Sequence, residues 1–160
     1  MYDFIVVGAG PPGSRFAYQA AVQGYDVALL EKGEVGTPLA CSGHVSTDIW
    51  EYLPAGAADK LLQNRSSGAR FHVGGPESKA YPFYKSETIS HVIDRVELDK
   101  TLARRAADAG AELREQHTVI DLDEQPDRVV VTVAMPDGTH TTMEAQMVAG
   151  CDGPTSRVRD

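Results

Sequence analysis

The sequence is short of cysteine, lysine and long apolar runs, and each shortage narrows what the chain can be. Two cysteines occur among 160 residues, Cys41 and Cys151, far apart and in no CxxC or metal-ligand spacing. Neither a zinc site nor a disulfide framework is expected, and a reducing, cytoplasmic setting follows. Five lysines and ten arginines stand against 13 aspartates and 10 glutamates, giving a formal charge of −8. A chain this acidic lacks the basic face that displaces counterions from a phosphate backbone, so nucleic acid is excluded as a partner. The first apolar run, Phe4 to Val7, follows no basic segment and is far too short for a signal peptide or a membrane span. Membrane contact would have to be peripheral. No internal repeat and no low-complexity linker is found.

What is present belongs to an ordinary globular chain, with 42% hydrophobic and 24% charged residues, enough for one compact domain or a piece of one. Residues 2–7, YDFIVV, read as a buried parallel strand. From Pro11 the period becomes helical, with Phe16, Ala17, Ala20 and Ala21 on one face until Gly24 stops it, and residues 26–30, DVALL, make a second strand. This is a βαβ unit. After a glycine-punctuated loop over 33–43, HVSTDIWEYL and AADKLLQN read as two short helices separated by Pro54, with Ser46 as an N-cap. ARFHV and SKAYPFY read as a hairpin, and TISHVI as a further strand. An amphipathic helix is predicted from Arg95 to Ala109, followed by the strands AELREQ, TVIDLDE, RVVVTVAM and TMEAQMVAG, with a hairpin turn at Asp137-Gly138. The expected architecture is α/β: a Rossmann-like core with a parallel sheet over residues 1–45 and 94–160. Into it, over 46–93, are set inserted helices and strands, with a β-hairpin and a three-stranded β-meander as further parts.

Gly8-Ala9-Gly10-Pro11-Pro12-Gly13 fits GxGxxG, a pattern with a physical demand behind it. The first glycine turns tightly out of the strand, the second lets a pyrophosphate approach the backbone, and the third lets helix and strand pack closely. The helix start offers free N–H groups and a positive dipole end, where Pro11 and Pro12 are well placed because no intrahelical donor is needed there. Glu31, followed by Lys32, ends the second strand about twenty residues on, where an acidic group accepts the ribose hydroxyls of an adenosine and repels a 2′-phosphate. A dinucleotide site is therefore predicted at Gly8, Gly10, Pro11, Pro12, Gly13, Glu31 and Lys32.

The glycine pattern with Glu31 at a strand end resembles the FAD site of the glutathione-reductase-like flavoprotein superfamily. The closing VAGCDGPTSRVR resembles the Asp-Gly motif of its para-hydroxybenzoate hydroxylase branch. That resemblance implies FAD as cofactor, and it implies that Asp152 and Gly153 meet the ribityl and pyrophosphate region as a following helix begins. Arg95, opening IDRVELDKTLARRAADAGAEL, becomes a further FAD contact, and the backbone near Val119 one that reaches the adenine. Each residue has a plain structural reading beside this one: a turn at Asp152-Gly153, a solvated helix start at Arg95, a core position at Val119. The resemblance also implies that this chain is the N-terminal portion of a longer protein. On that expectation the piece alone is inactive, holds FAD weakly or not at all, and self-associates through exposed apolar surface.

Cys41 has no neighbouring cysteine, unlike the redox pair of the disulfide reductases in this superfamily. A single cysteine with small residues after the Glu31 strand, in TPLACSGHVSTDIW, is similar to the geranylgeranyl reductase family, in which the cysteine lies on a loop near the flavin. A small buried hydrophobe is the alternative reading of Cys41. The family implies hydride transfer from reduced flavin to the C=C bonds of a prenyl lipid or prenyl diphosphate, with NAD(P)H or a ferredoxin-like protein as electron donor and Cys41 as a candidate catalytic residue. Two other readings stay open: an FAD-dependent aromatic monooxygenase, and a non-enzymatic dinucleotide-binding module.

Overall fold

A computed structural model describes residues 1–38, 41–74 and 79–159 of the chain. The chain divides into two compact units, Met1–Leu39 with Leu98–Asp160, and Ala40–Glu97.

In the first unit, strand β1 (Tyr2–Val7), helix α1 (Pro11–Val22) and strand β2 (Val27–Leu30) form the expected βαβ unit. The apolar runs are strands because both sides of them are covered: Ile5, Val6, Val27, Ala28, Leu29 and Leu30 are at most 1% exposed. Helix α3 (Arg95–Asp108) leads to β8 (Glu112–Arg114), β9 (Thr118–Glu124), β10 (Val129–Ala134) and β11 (His140–Gly150). These strands build one six-stranded sheet in the order β8-β2-β1-β11-β10-β9. Its first four members run parallel, and β9, β10 and β11 form the antiparallel meander.

Strand β11 belongs to both halves. Residues His140 to Ala145 pair with β10, and Ala145 to Gly150 pair with β1, so Ala145 is where the meander meets the parallel sheet. Small residues let helices lie close on one sheet face, where Val6 and Leu29 pack with Ala17, Ala20, Ala21, Ala103 and Ala106. On the other face Ile5, Val7, Ala28 and Leu30 pack with Val119, Val131, Val133 and Met143 of the meander. Each fully buried aliphatic side chain here contributes about 1.5–3 kcal/mol.

The second unit holds β3 (His44–Val45), β4 (Leu62–Ser66), β5 (Gly68–Val73), β6 (Lys79–Tyr84) and β7 (Ser90–Ile93). A three-stranded sheet takes the order β3-β7-β4, and β5 and β6 form the expected hairpin. Two predicted helices change. HVSTDIWEYL becomes the two-residue β3 and a 3-10 turn over Thr47–Tyr52, which Ser46 does cap by accepting from the Asp48 N–H at 3.3 Å. AADKLLQN gives helix α2 (Ala57–Leu61) only, because from Leu62 the chain pairs antiparallel with β7 and tertiary pairing overrides the local helix preference. The Gly-Gly-Pro-Glu connection of the hairpin falls largely on residues 75–78, outside the described residues. Among the described residues no helix is long and apolar enough to cross a membrane.

Candidate functional site

The glycine turn is held by backbone contact. Gly8 has φ +101, its N–H donates to the Leu30 carbonyl at 2.7 Å, and a Cβ placed there would stand 2.5 Å from the Cys151 oxygen. A Cβ on Gly13 would stand 1.9 Å from the Gly8 oxygen. The demands for a tight turn and close helix packing are therefore met literally at these two positions. Gly10 differs: a Cβ there would meet nothing nearer than Pro12 Cδ at 3.9 Å. Its lack of a side chain leaves space open and is not needed for packing.

Gly10 is the N-cap of α1, with prolines at the first two helical positions and no side chain capping its amides. Pro11 and Pro12 have no N–H to offer a ligand and act by fixing φ for the helix start. Ser14, fully buried, donates its hydroxyl to the Ala9 carbonyl at 2.9 Å and its N–H to Gly10 at 2.9 Å, which fixes the turn from beneath.

Glu31 stands at the end of β2 as the sequence predicts, and its carboxylate binds the turn directly. Oε2 accepts from the Ala9 N–H at 2.9 Å, and Oε1 accepts from the Gly33 N–H at 3.2 Å. At the end of β11 the Cys151 N–H donates to the Val7 carbonyl at 2.8 Å, which sets the following residues beside the glycine turn. Asp152 accepts the Ser156 hydroxyl at 2.7 Å and the Arg157 N–H at 2.6 Å. Partial burial pushes the Asp152 carboxyl up, but these bonds more than offset it, so the group sits below its ordinary value and is charged at neutral pH. Burial, and then the Asp152 charge, push the Cys151 thiol up and keep it protonated. Gly153 has φ +82. The residues after it form a turn at Pro154 and Thr155 where the resemblance led us to expect a helix start.

These pieces meet on one crevice of about 860 Å³, within the range of small-molecule sites. Of the predicted residues, Gly8, Gly10, Glu31, Lys32, Val119, Asp152 and Gly153 line it. Gly13 lies beneath the turn. Cys41 and Arg95 belong to the second unit, where Arg95 Nη1 donates to Cys41 Sγ at 3.0 Å. The exposure of Cys41 overturns its reading as a buried hydrophobe.

Sequence reasoning missed His117, Thr118, Arg157 and Arg159, which also line the crevice. The closing TSRVR carried the signal: two arginines a residue apart, in a strongly acidic chain, right after the Asp-Gly pair. With Lys32 they place positive charge around a helix N-terminus, the arrangement that holds phosphates. The residues present thus fit a dinucleotide: a carboxylate for ribose hydroxyls, free helix-start space at Gly10, and cations for the phosphate bridge.

Comparison with known proteins agrees with that chemistry. Residues 1–160 match the model of a family described as FAD binding domain. Rifampicin monooxygenase of Rhodococcus hoagii is 34% identical over 167 residues, covering 99% of this chain and 33% of that protein. Digeranylgeranylglycerophospholipid reductase of Methanosarcina acetivorans is 33% identical over 159 residues, covering 99% of this chain and 39% of that protein. The crystal structure of a geranylgeranyl bacteriochlorophyll reductase-like protein from Thermoplasma acidophilum superposes with a TM-score of 0.75 at 28% identity, over 92% of this chain and 38% of that one. The chain thus spans well under half the length of the relatives it matches.

Proposed function

The chain belongs to the FAD binding domain family, and from that premise we propose that it supplies the dinucleotide part of an FAD-dependent oxidoreductase acting on prenyl lipids. One observation carries the cofactor reading: the turn at Gly8 and Gly10, the Glu31 carboxylate and the Asp152-Gly153 pair face a single crevice. In that crevice Glu31 takes the adenosine ribose hydroxyls, as well as holding the Ala9 amide. Lys32, Arg157 and Arg159 neutralise the diphosphate, and the α1 N-terminus faces it. Val119 contributes backbone near the adenine, and Asp152 and Gly153 shape the ribityl end. Bound FAD, once reduced, supplies a hydride for the substrate.

The prenyl reductase reading draws on the similarity to digeranylgeranylglycerophospholipid reductases and on Cys41. Cys41 is an exposed thiol whose sulfur accepts a hydrogen bond from the Arg95 guanidinium at 3.0 Å. On this reading a prenyl lipid or prenyl diphosphate accepts the hydride at one alkene carbon and a proton at the other, with Cys41 a candidate for holding that proton. NAD(P)H or a ferredoxin-like protein restores the reduced cofactor, and the enzyme works in the cytoplasm or at the membrane surface. The similarity to rifampicin monooxygenase supports a second reading, hydroxylation of an aromatic compound with oxygen.

The two readings part on oxygen. The full-length protein, loaded with FAD and chemically reduced without air, is expected to saturate digeranylgeranylglyceryl lipid double bonds and reoxidise its flavin as it does so. Reoxidation only on admission of oxygen, with a hydroxylated aromatic product, would overturn the prenyl reductase in favour of the monooxygenase.

A further inference from the structure

Glu31 and Lys32 stand at the head of a segment, residues 31–37, that has no regular secondary structure of its own. What holds it is the turn between β8 and β9. The Glu31 N–H donates to the Arg114 carbonyl at 2.9 Å, the His117 N–H to the Glu31 carbonyl at 2.8 Å, and the Gln116 N–H to the Gly33 carbonyl at 3.0 Å. These three bonds tie the segment to that turn beyond Leu30 and Arg114, the last paired residues of β2 and β8.

The fourth bond is of another kind. The Val35 N–H donates to Oε1 of Glu115 at 2.6 Å, reaching across 80 positions of sequence. Val35 is 3% exposed and packs among the alanines of the helix-covered face, so its amide is removed from solvent and needs this partner. Gln116, next to Glu115, has φ +58, a left-handed conformation that a residue with a side chain adopts only where its surroundings enforce it. Glu115 is not among the residues lining the crevice, whereas His117, two positions on, is.

We propose that Glu115 is a positioning residue for dinucleotide binding: by capping the Val35 amide it pins the far end of the segment whose near end presents Glu31 and Lys32 to the ligand. The inference rests on the FAD reading of the crevice. Pinning at Val35 removes freedom that the loop would otherwise lose on binding, so the device raises affinity without touching the ligand.

The test compares FAD affinity of the full-length protein with Glu115→Ala and Glu115→Gln. Glutamine keeps a side-chain carbonyl oxygen able to accept from Val35, and alanine does not. We expect Glu115→Ala to weaken FAD binding about tenfold, with faster amide exchange at Val35 and an unfolding temperature lowered by a few degrees when FAD is absent, because the buried Val35 amide loses its partner. Glu115→Gln should restore both affinity and exchange protection. Unchanged affinity in Glu115→Ala, or a loss that glutamine does not rescue, would overturn the proposal. A parent protein that binds no FAD would instead sink the cofactor reading itself, and with it any role for Glu115 toward that ligand.

Discussion

The crevice and the β5–β6 hairpin invert the usual relation between side chains and constraint. The hairpin carries Phe71, Val73, Tyr81, Phe83 and Tyr84, and every one of them is exposed, from 44% to 67%. Phe71 and Tyr81 face each other across the strands, and neither is packed into a core. The glycine turn has almost no side chains, yet a single carbon added at Gly8 or Gly13 would run into main chain. Constraint in this molecule follows backbone proximity, because main-chain atoms cannot rotate away as the end of a side chain can.

The largest effect expected from breaking that comparison is at Gly13. Gly13→Ala puts a carbon 1.9 Å from the Gly8 carbonyl oxygen, main chain of the turn between β1 and α1. We expect a loss of at least about 4 kcal/mol, seen as a collapsed unfolding temperature or as insoluble protein. Gly10→Ala sharpens the contrast, since nothing lies nearer than 3.9 Å. It should leave the unfolding temperature within a degree or two and weaken FAD binding about a hundredfold, by filling the space a phosphate needs. Calorimetry with and without FAD separates the two, and equal effects from both substitutions would contradict the division of labour drawn between them.

A smaller effect is expected at Asp152. Because its folded value lies below the ordinary one, its stabilisation is present in full above the ordinary carboxylate range and is lost as pH falls through the depressed value. Acid titration of stability should therefore be flatter in Asp152→Asn than in the parent. The smallest belongs to the hairpin. Phe71→Ser should change stability by no more than about 0.5 kcal/mol, measured by urea unfolding, and a larger loss would show that the exposed face is packed against something in solution.

Much of the first unit was legible because local pattern and tertiary role agree there. The run at Tyr2–Val7 forms its strand, the glycine spacing makes its turn, and Glu31 ends β2 beside that turn, where its carboxylate also holds the Ala9 amide. The second unit was harder. AADKLLQN is rich in helix formers, but Leu62 to Ser66 complete the edge of a sheet whose partner, β7, lies some thirty residues on, which no local window can register. His91, 7% exposed, accepts from the Trp50 indole N–H at 2.9 Å, a pairing over 41 positions that no local pattern signals. At the crevice, His117 was hidden because its neighbourhood is made by a turn around the left-handed Gln116, a conformation that side-chain chemistry alone does not announce. Asp152 was placed by its motif, yet its bonds to Ser156 and Arg157, which give a turn where a helix was expected, were not readable from spacing.

Strand β11 bears on how the chain acquires this shape. Tyr2 lies beside Ala145 and Val7 beside Gly150, so β1 lies between β2, made soon after it, and a segment made well over a hundred residues later. Closing so long a loop is slow next to forming a local hairpin. Until β11 arrives, one edge of β1 is an open template for other chains. Val7 must wait for Cys151 before its carbonyl takes this bond and the glycine turn has its second wall. Within these 160 residues the βαβ unit is thus made more than a hundred residues before the strand that completes the crevice beside it.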